Sequence, residues 1–126
     1  MKNLLMLCLL LKVSTGWANT QDNGQYVCSV SYLMFSNIIS DAHKHSSRDK
    51  NKHCAISCML TLRCNSVEVF EVGVIKEIID FFGPGNMEFE DIKADYDGIN
   101  IGRNLYFSNQ ISDELCFHHC DQIYHP

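Results

Sequence analysis

The residues of this chain best suited to chemistry are one histidine and four carboxylates at helical spacing: His53, Glu77, Asp80, Asp91 and Asp95. Glu77 and Asp80 stand at i and i+3, and Asp91 and Asp95 at i and i+4, so each pair shares one face of a helix. The segment carrying Glu77 and Asp80 is otherwise apolar, which predicts partial burial, and a buried carboxylate is costly unless a partner meets it. If these faces converge with the start of a helix at His53, the imidazole and the carboxylates meet in one pocket. Such a pocket could hold a divalent metal ion, or pair a histidine base with an orienting carboxylate for hydrolysis. A structural alternative stands beside it: Lys76 pairs with Glu77 or Asp80, Asp91 caps or is solvated, and His53 caps its helix.

Other groups offer less. His43 and His45 lie in a polar stretch, and His118 and His119 sit between two cysteines, with His125 beyond them. Any of these could bind a metal, yet solvation accounts for them as well. Ser57 is four residues from His53, on the same helix face, but no oxyanion device or Gly-x-Ser-x-Gly elbow accompanies it. Asp95-Tyr96-Asp97-Gly98-Ile99-Asn100 has the look of a calcium loop. An EF-hand counted from Asp95 would need glutamate at its twelfth position, where Tyr106 stands.

Helices must position these groups. Residues 52–63 place Ala55, Ile56, Met59, Leu60 and Leu62 at helical spacing. Residues 67–82 are apolar nearly all round, which predicts a central helix with Ser66 as its N-cap, ended by Gly83-Pro84-Gly85-Asn86. Helical spacing resumes over 87–100, with Gly98 marking an end or a close contact. A last helix over 112–124 has Ser112 as N-cap and Asp113 and Glu114 in its first turn. Residues 27–39 are apolar enough to pack as a helix or a strand, and residues 40–51 read as a polar loop. Phe81 and Phe82, beside the Gly-Pro-Gly turn, are expected to pack in the core, an exposed apolar tip for a partner or a membrane surface being the alternative. The fold class expected is all-α, a small disulfide-stapled bundle of about four helices.

The N-terminus predicts where the chain goes. Met1-Lys2-Asn3 is a short basic start, residues 4–11 are an unbroken apolar run, and Gly16-Trp17-Ala18 fits a small-x-small cleavage site. The apolar run is too short to span a bilayer, which needs roughly 20 helical residues. Residues 1–18 therefore read as a secretory signal peptide, residues 19–126 as a single domain, and the location as exported, either periplasmic or secreted. Loss of Lys2 and Lys12 takes the net charge from −5 to −7. An acidic chain without a Lys/Arg cluster is poorly suited to binding nucleic acid through phosphates.

Loss of Cys8 with the leader leaves an even set, Cys28, Cys54, Cys58, Cys64, Cys116 and Cys120. Oxidising compartments turn such sets into disulfides, here with 15 formal connectivities. Cys54 and Cys58 share a helix face, as do Cys116 and Cys120. Two antiparallel helices would pair Cys54 with Cys120 and Cys58 with Cys116, leaving Cys28 for Cys64. A zinc site built from the same four helical cysteines is the competing use.

The run Lys52-His53-Cys54-Ala55-Ile56-Ser57-Cys58, then Cys64, Lys76-Glu77-Ile78-Ile79-Asp80, Gly85-Asn86 and Asp91-Ile92-Lys93-Ala94-Asp95-Tyr96-Asp97-Gly98 carries a resemblance. It is similar to small domains at the variable C-termini of bacterial RHS or YD-repeat polymorphic toxin proteins. Those share a His-Cys-x-x-Ser-Cys start, a Lys-Glu-x-x-Asp middle and an Asp-x-x-Ala-Asn-x-x-Gly end. The likeness covers residues 52–98, with Asp95 in place of the pattern's Asn. It implies an exported, effector-like bacterial context and does not by itself imply a reaction.

Two functions of different class follow. One is a toxin-like hydrolase acting on a cell-envelope component through His53 and its carboxylates. The other is a non-catalytic periplasmic binding, immunity or inhibitor protein whose acidic surface covers a basic protein partner.

Overall fold

The computed structural model describes residues 28–124. The signal-peptide reading of residues 1–18, the start of the domain at 19 and His125 lie outside the described residues. Six helices form among those described: α1 (Cys28–Phe35), α2 (Ile38–His45), α3 (Asp49–Thr61), α4 (Ser66–Phe82), α5 (Phe89–Phe107) and α6 (Asp113–Tyr124). The molecule is an all-α bundle stapled by three disulfides, and α3 to α6 are the four helices that the apolar spacing predicts. The apolar segment whose sequence suits helix or strand is helical, and the expected loop over 40–51 is mostly helix, with only residues 46–48 between the end of α2 at His45 and the start of α3 at Asp49.

The central helix is α3, not α4 as the all-round apolar pattern suggests. Cys54, Ala55, Cys58, Met59 and Leu60 of α3 are buried, and its neighbours enclose them with Ile38, Ala42, Val69, Ala94, Ile99, Leu105, Cys116 and Cys120. On α4 only Val69 and Glu77 are fully buried, while Ile79, Phe81 and Phe82 are exposed. The expectation that Phe81 and Phe82 pack in the core is thereby corrected. The neighbours of α3 explain the reversal: glycines of α5 let that helix approach it closely and two disulfides bind α6 to it, whereas α4 leaves Val67, Phe70 and Ile79 exposed.

The closest approach is between α3 and α5. A Cβ on Gly98 would collide with the carbonyl oxygen of Cys54, and one on Gly102 would lie 2.7 Å from that of Cys58. Gly98 is thus a close contact inside α5, which runs seven residues beyond the end predicted for it. Four-residue steps match on the two helices, Cys54 with Gly98 and Cys58 with Gly102, so α3 and α5 run in the same direction. Their N-terminal turns therefore lie at the same end of the molecule. α5 closes on Asn109 in the left-handed conformation, with Gln110 N donating to Leu105 O and Asn109 N to Tyr106 O.

α6 runs antiparallel to α3 and is bonded to it covalently. Cys54 joins Cys120 and Cys58 joins Cys116, with Cα separations of 5.8 and 5.7 Å, and Cys28 joins Cys64 at 5.8 Å. With all six cysteines in disulfides, no thiolates remain for the zinc alternative. A bidentate ion pair from Arg63 to Asp113 fixes the same helices, and Tyr124 Oη donates to Asp97 Oδ2 at 2.6 Å to tie α6 to α5. Ser112 serves α6 through its carbonyl, which accepts from Cys116 N. The cap of α4 is Asn65, one residue before the serine expected, and its side chain accepts from Val67 N. No helix among the described residues is long and apolar enough to cross a membrane.

Candidate functional site

The matched direction of α3 and α5 sets two ladders of polar side chains against each other, Asp49, His53 and Ser57 on α3 facing Asp91 and Asp95 on α5. His53 Nδ1 lies 3.1 Å from Asp95 Oδ1. A carboxylate only accepts, so Nδ1 carries the proton and donates it, and the lone pair of the neutral ring is on Nε2. Ser57 Oγ donates to the same Asp95 oxygen at 2.8 Å, which makes Ser57 a support for the carboxylate rather than a nucleophile. The other oxygen, Asp95 Oδ2, is buried without a hydrogen-bond partner. It faces Gly73 of α4, where a Cβ would lie 2.5 Å away, so glycine is what leaves room for it.

Nε2 points toward charge of both signs. Asp91 Oδ2 is 3.6 Å away, Asp49 Oδ2 4.0 Å and Lys76 Nζ 3.4 Å. Asp91 is buried and also meets Lys50 at 3.5 Å, while Lys50 binds Glu88 at 2.8 Å. The His53 side chain is 14% exposed and that of Asp49 69%, so the cluster opens to solvent on the Asp49 side. Burial by itself lowers the His53 pKa, but the hydrogen bond and charge of Asp95, followed by the charge of Asp91, outweigh it, and the net shift is upward from 6.5 despite Lys76. The Asp91 pKa is also raised, first by burial and then by Asp49 and Glu77, against the lowering influence of His53 and Lys50.

The other two predicted carboxylates stand one step back. Glu77 is fully buried, accepting from Lys76 Nζ at 2.8 Å and from Glu88 N at 3.0 Å. Asp80 pairs with Lys76 at 3.0 Å. Both reach His53 only through Lys76, so their expected place at the imidazole is corrected: they hold the lysine that touches it. The ladder is completed by Asp49, which the sequence reading leaves in a loop. The signal that finds it is its i−4 position to His53, once α3 is extended by one turn.

Asp49, His53 and Asp91 each offer one ligand atom, and these atoms all lie within 4.8 Å of one another. Two ligands of a metal held at about 2.1 Å stand roughly 3 to 3.5 Å apart, so the carboxylate oxygens, at 3.6 and 4.0 Å from Nε2, would close in on an ion seated among them. Asp95 on the far ring nitrogen supplies the outer carboxylate that orients metal-binding histidines. Asp49 and Asp91 also occupy the first turns of α3 and α5, where helix dipoles favour negative charge.

The remaining histidines among the described residues take no part. His45 stacks on Phe117 with ring centroids 4.2 Å apart, and with His118, Asn51 and Asp121 it lines a separate cleft of about 210 Å³. His43 is exposed. The calcium-loop reading of residues 95–100 fails because they lie inside α5. No family model matches the chain, and neither a curated protein nor a solved structure does.

Proposed function

We propose that this chain is a small exported hydrolase of the bacterial effector or toxin type, acting on a cell-envelope component through His53, Asp49, Asp91 and Asp95. The observation that carries the proposal is the imidazole held between Asp95 on one ring nitrogen and two further carboxylates near the other. Asp95 fixes the tautomer and leaves Nε2 as the working atom, either a ligand or a base. Charge balance favours the ligand. Among the described residues, Asp49, Glu77, Asp80, Glu88, Asp91 and Asp95 form ion pairs with Lys50, Lys76 and His53 alone, a surplus of negative charge that a divalent ion would reduce.

Held by Asp49, His53 and Asp91, such an ion would supply a water molecule of lowered pKa and an electrophile for the bond to be broken. Asp95 and Ser57 keep the imidazole aligned, Glu77 and Asp80 restrain Lys76, and the exposed Asp49 marks the side from which substrate approaches. Buried carboxylates with so little compensation destabilise a fold, and such sites are where function is commonly found.

Periplasmic expression in a bacterial host tests this. The wild type is expected to arrest growth, while His53→Ala and Asp91→Asn, produced at the same level with intact disulfides, do not. A harmless wild type that protects cells from a second toxin would instead establish the binding or immunity role. One observation speaks for that second reading: Lys76 already satisfies Nε2.

A further inference from the structure

Neutral imidazole has one N–H to donate and one lone pair to give. The N–H of His53 is committed to Asp95, so a single in-plane lone pair remains on Nε2, and Lys76 Nζ lies 3.4 Å from it. A lone pair donated to an ammonium N–H is not available to a metal. We infer that Lys76 is an internal competitor for the divalent ion, which binds at Asp49, His53 and Asp91 only as the lysine withdraws from Nε2. The inference rests on the metal-centre reading above and adds to it a threshold for occupancy.

The surroundings of Lys76 suit that role. Its ammonium is anchored independently of the ring, to Glu77 Oε1 at 2.8 Å and Asp80 Oδ2 at 3.0 Å. Leaving Nε2 therefore costs one long hydrogen bond and no ion pair. Glu77 is buried on the same helix, so the lysine cannot drift far. A function follows for Glu77 and Asp80, which keep a positive charge beside the imidazole without touching it themselves. The device also selects by charge. A monovalent cation offers the three ligands no more charge than the resident ammonium does, whereas a divalent ion doubles the attraction. Lys76 sits on α4 and the ligands on α3 and α5, so the position of the lysine links ion occupancy to the contact of α4 with the other two helices.

The test is calorimetric titration of Mn²⁺ and of Zn²⁺, each alone, into the disulfide-bonded protein. Lys76→Met is compared with wild type. Because Glu77 would then be buried without its cation, the same comparison is made in a Glu77→Gln background. Removing the lysine is expected to tighten binding about tenfold in both backgrounds, the worth of one charge-assisted hydrogen bond. Lys76→Arg should keep the wild-type affinity, and Asp49→Asn and Asp91→Asn should weaken it. Equal affinity with and without Lys76 overturns the competition and leaves the metal centre standing. No binding by any of these proteins overturns the metal centre itself, and the inference with it.

Discussion

His53 titrates under opposed influences, and their sum gives a testable pH dependence. Its pKa in the folded protein is raised above the ordinary 6.5 because Asp95 and Asp91 outweigh burial and Lys76. The folded state therefore holds the proton more tightly than the unfolded chain does. The stability this contributes is present in full below pH 6.5 and is lost as pH rises through the folded pKa. In metal-free buffer, the urea midpoint of the wild type should fall across that window relative to His53→Gln, which lacks the group; parallel profiles would contradict the assignment. At this scale much of the site was legible. His53, Asp91 and Asp95 carry their geometry in helical spacing, since i and i+4 on neighbouring helices bring them face to face. Lys76 could be read as a partner of Glu77 or Asp80 but not of His53, because that contact depends on how α4 packs across α3. Asp49 was hidden by a helix start placed three residues late, among polar residues with no apolar period to mark it.

The α3–α5 contact sets the site, because every distance at His53 depends on how closely two backbones approach. Gly98 is the residue that permits it. Gly98→Ala improves helix propensity by about 1 kcal/mol, yet the added methyl meets a backbone carbonyl that cannot move without separating the helices. Overpacking of this kind costs roughly 1–3 kcal/mol and sometimes more. We expect net destabilisation of about 1–2 kcal/mol in urea unfolding. The imidazole should also loosen from Asp95, visible as a changed His53 ¹⁵N signal. The sequence shows Gly98 as either an end or a contact, and only the packing of α5 on α3 decides between them. Periodicity found the four long helices because each repeats its apolar residues over three or more turns. It misjudged α4, since a count of apolar residues registers hydrophobicity and not whether a neighbour fits against it.

Over the whole molecule, the disulfides do what a limited hydrophobic core leaves undone. Cys54–Cys120 already closes a separation of 66 residues, and Cys58–Cys116 lies just inside it, so the inner bridge constrains only a short additional loop. Replacing Cys58 and Cys116 by alanine should therefore cost roughly 2–3 kcal/mol rather than the larger value of an isolated long loop, measured by denaturant unfolding. These pairings were legible because two cysteines one helical turn apart can meet two others only when the helices lie antiparallel. The bridge at Cys54 has a further consequence, for it begins at the residue next to His53. Where the six thiols are kept reduced, α3 loses its covalent tie to α6 and keeps the Asn51–Asp121 hydrogen bond and the Arg63–Asp113 ion pair beside their packing. No disulfide among the described residues reaches α4 or α5, so Lys76, Asp91 and Asp95 are held by packing in either redox state. The covalent frame therefore holds the histidine's own helix, while the carboxylates that face it sit on a helix anchored by contact alone.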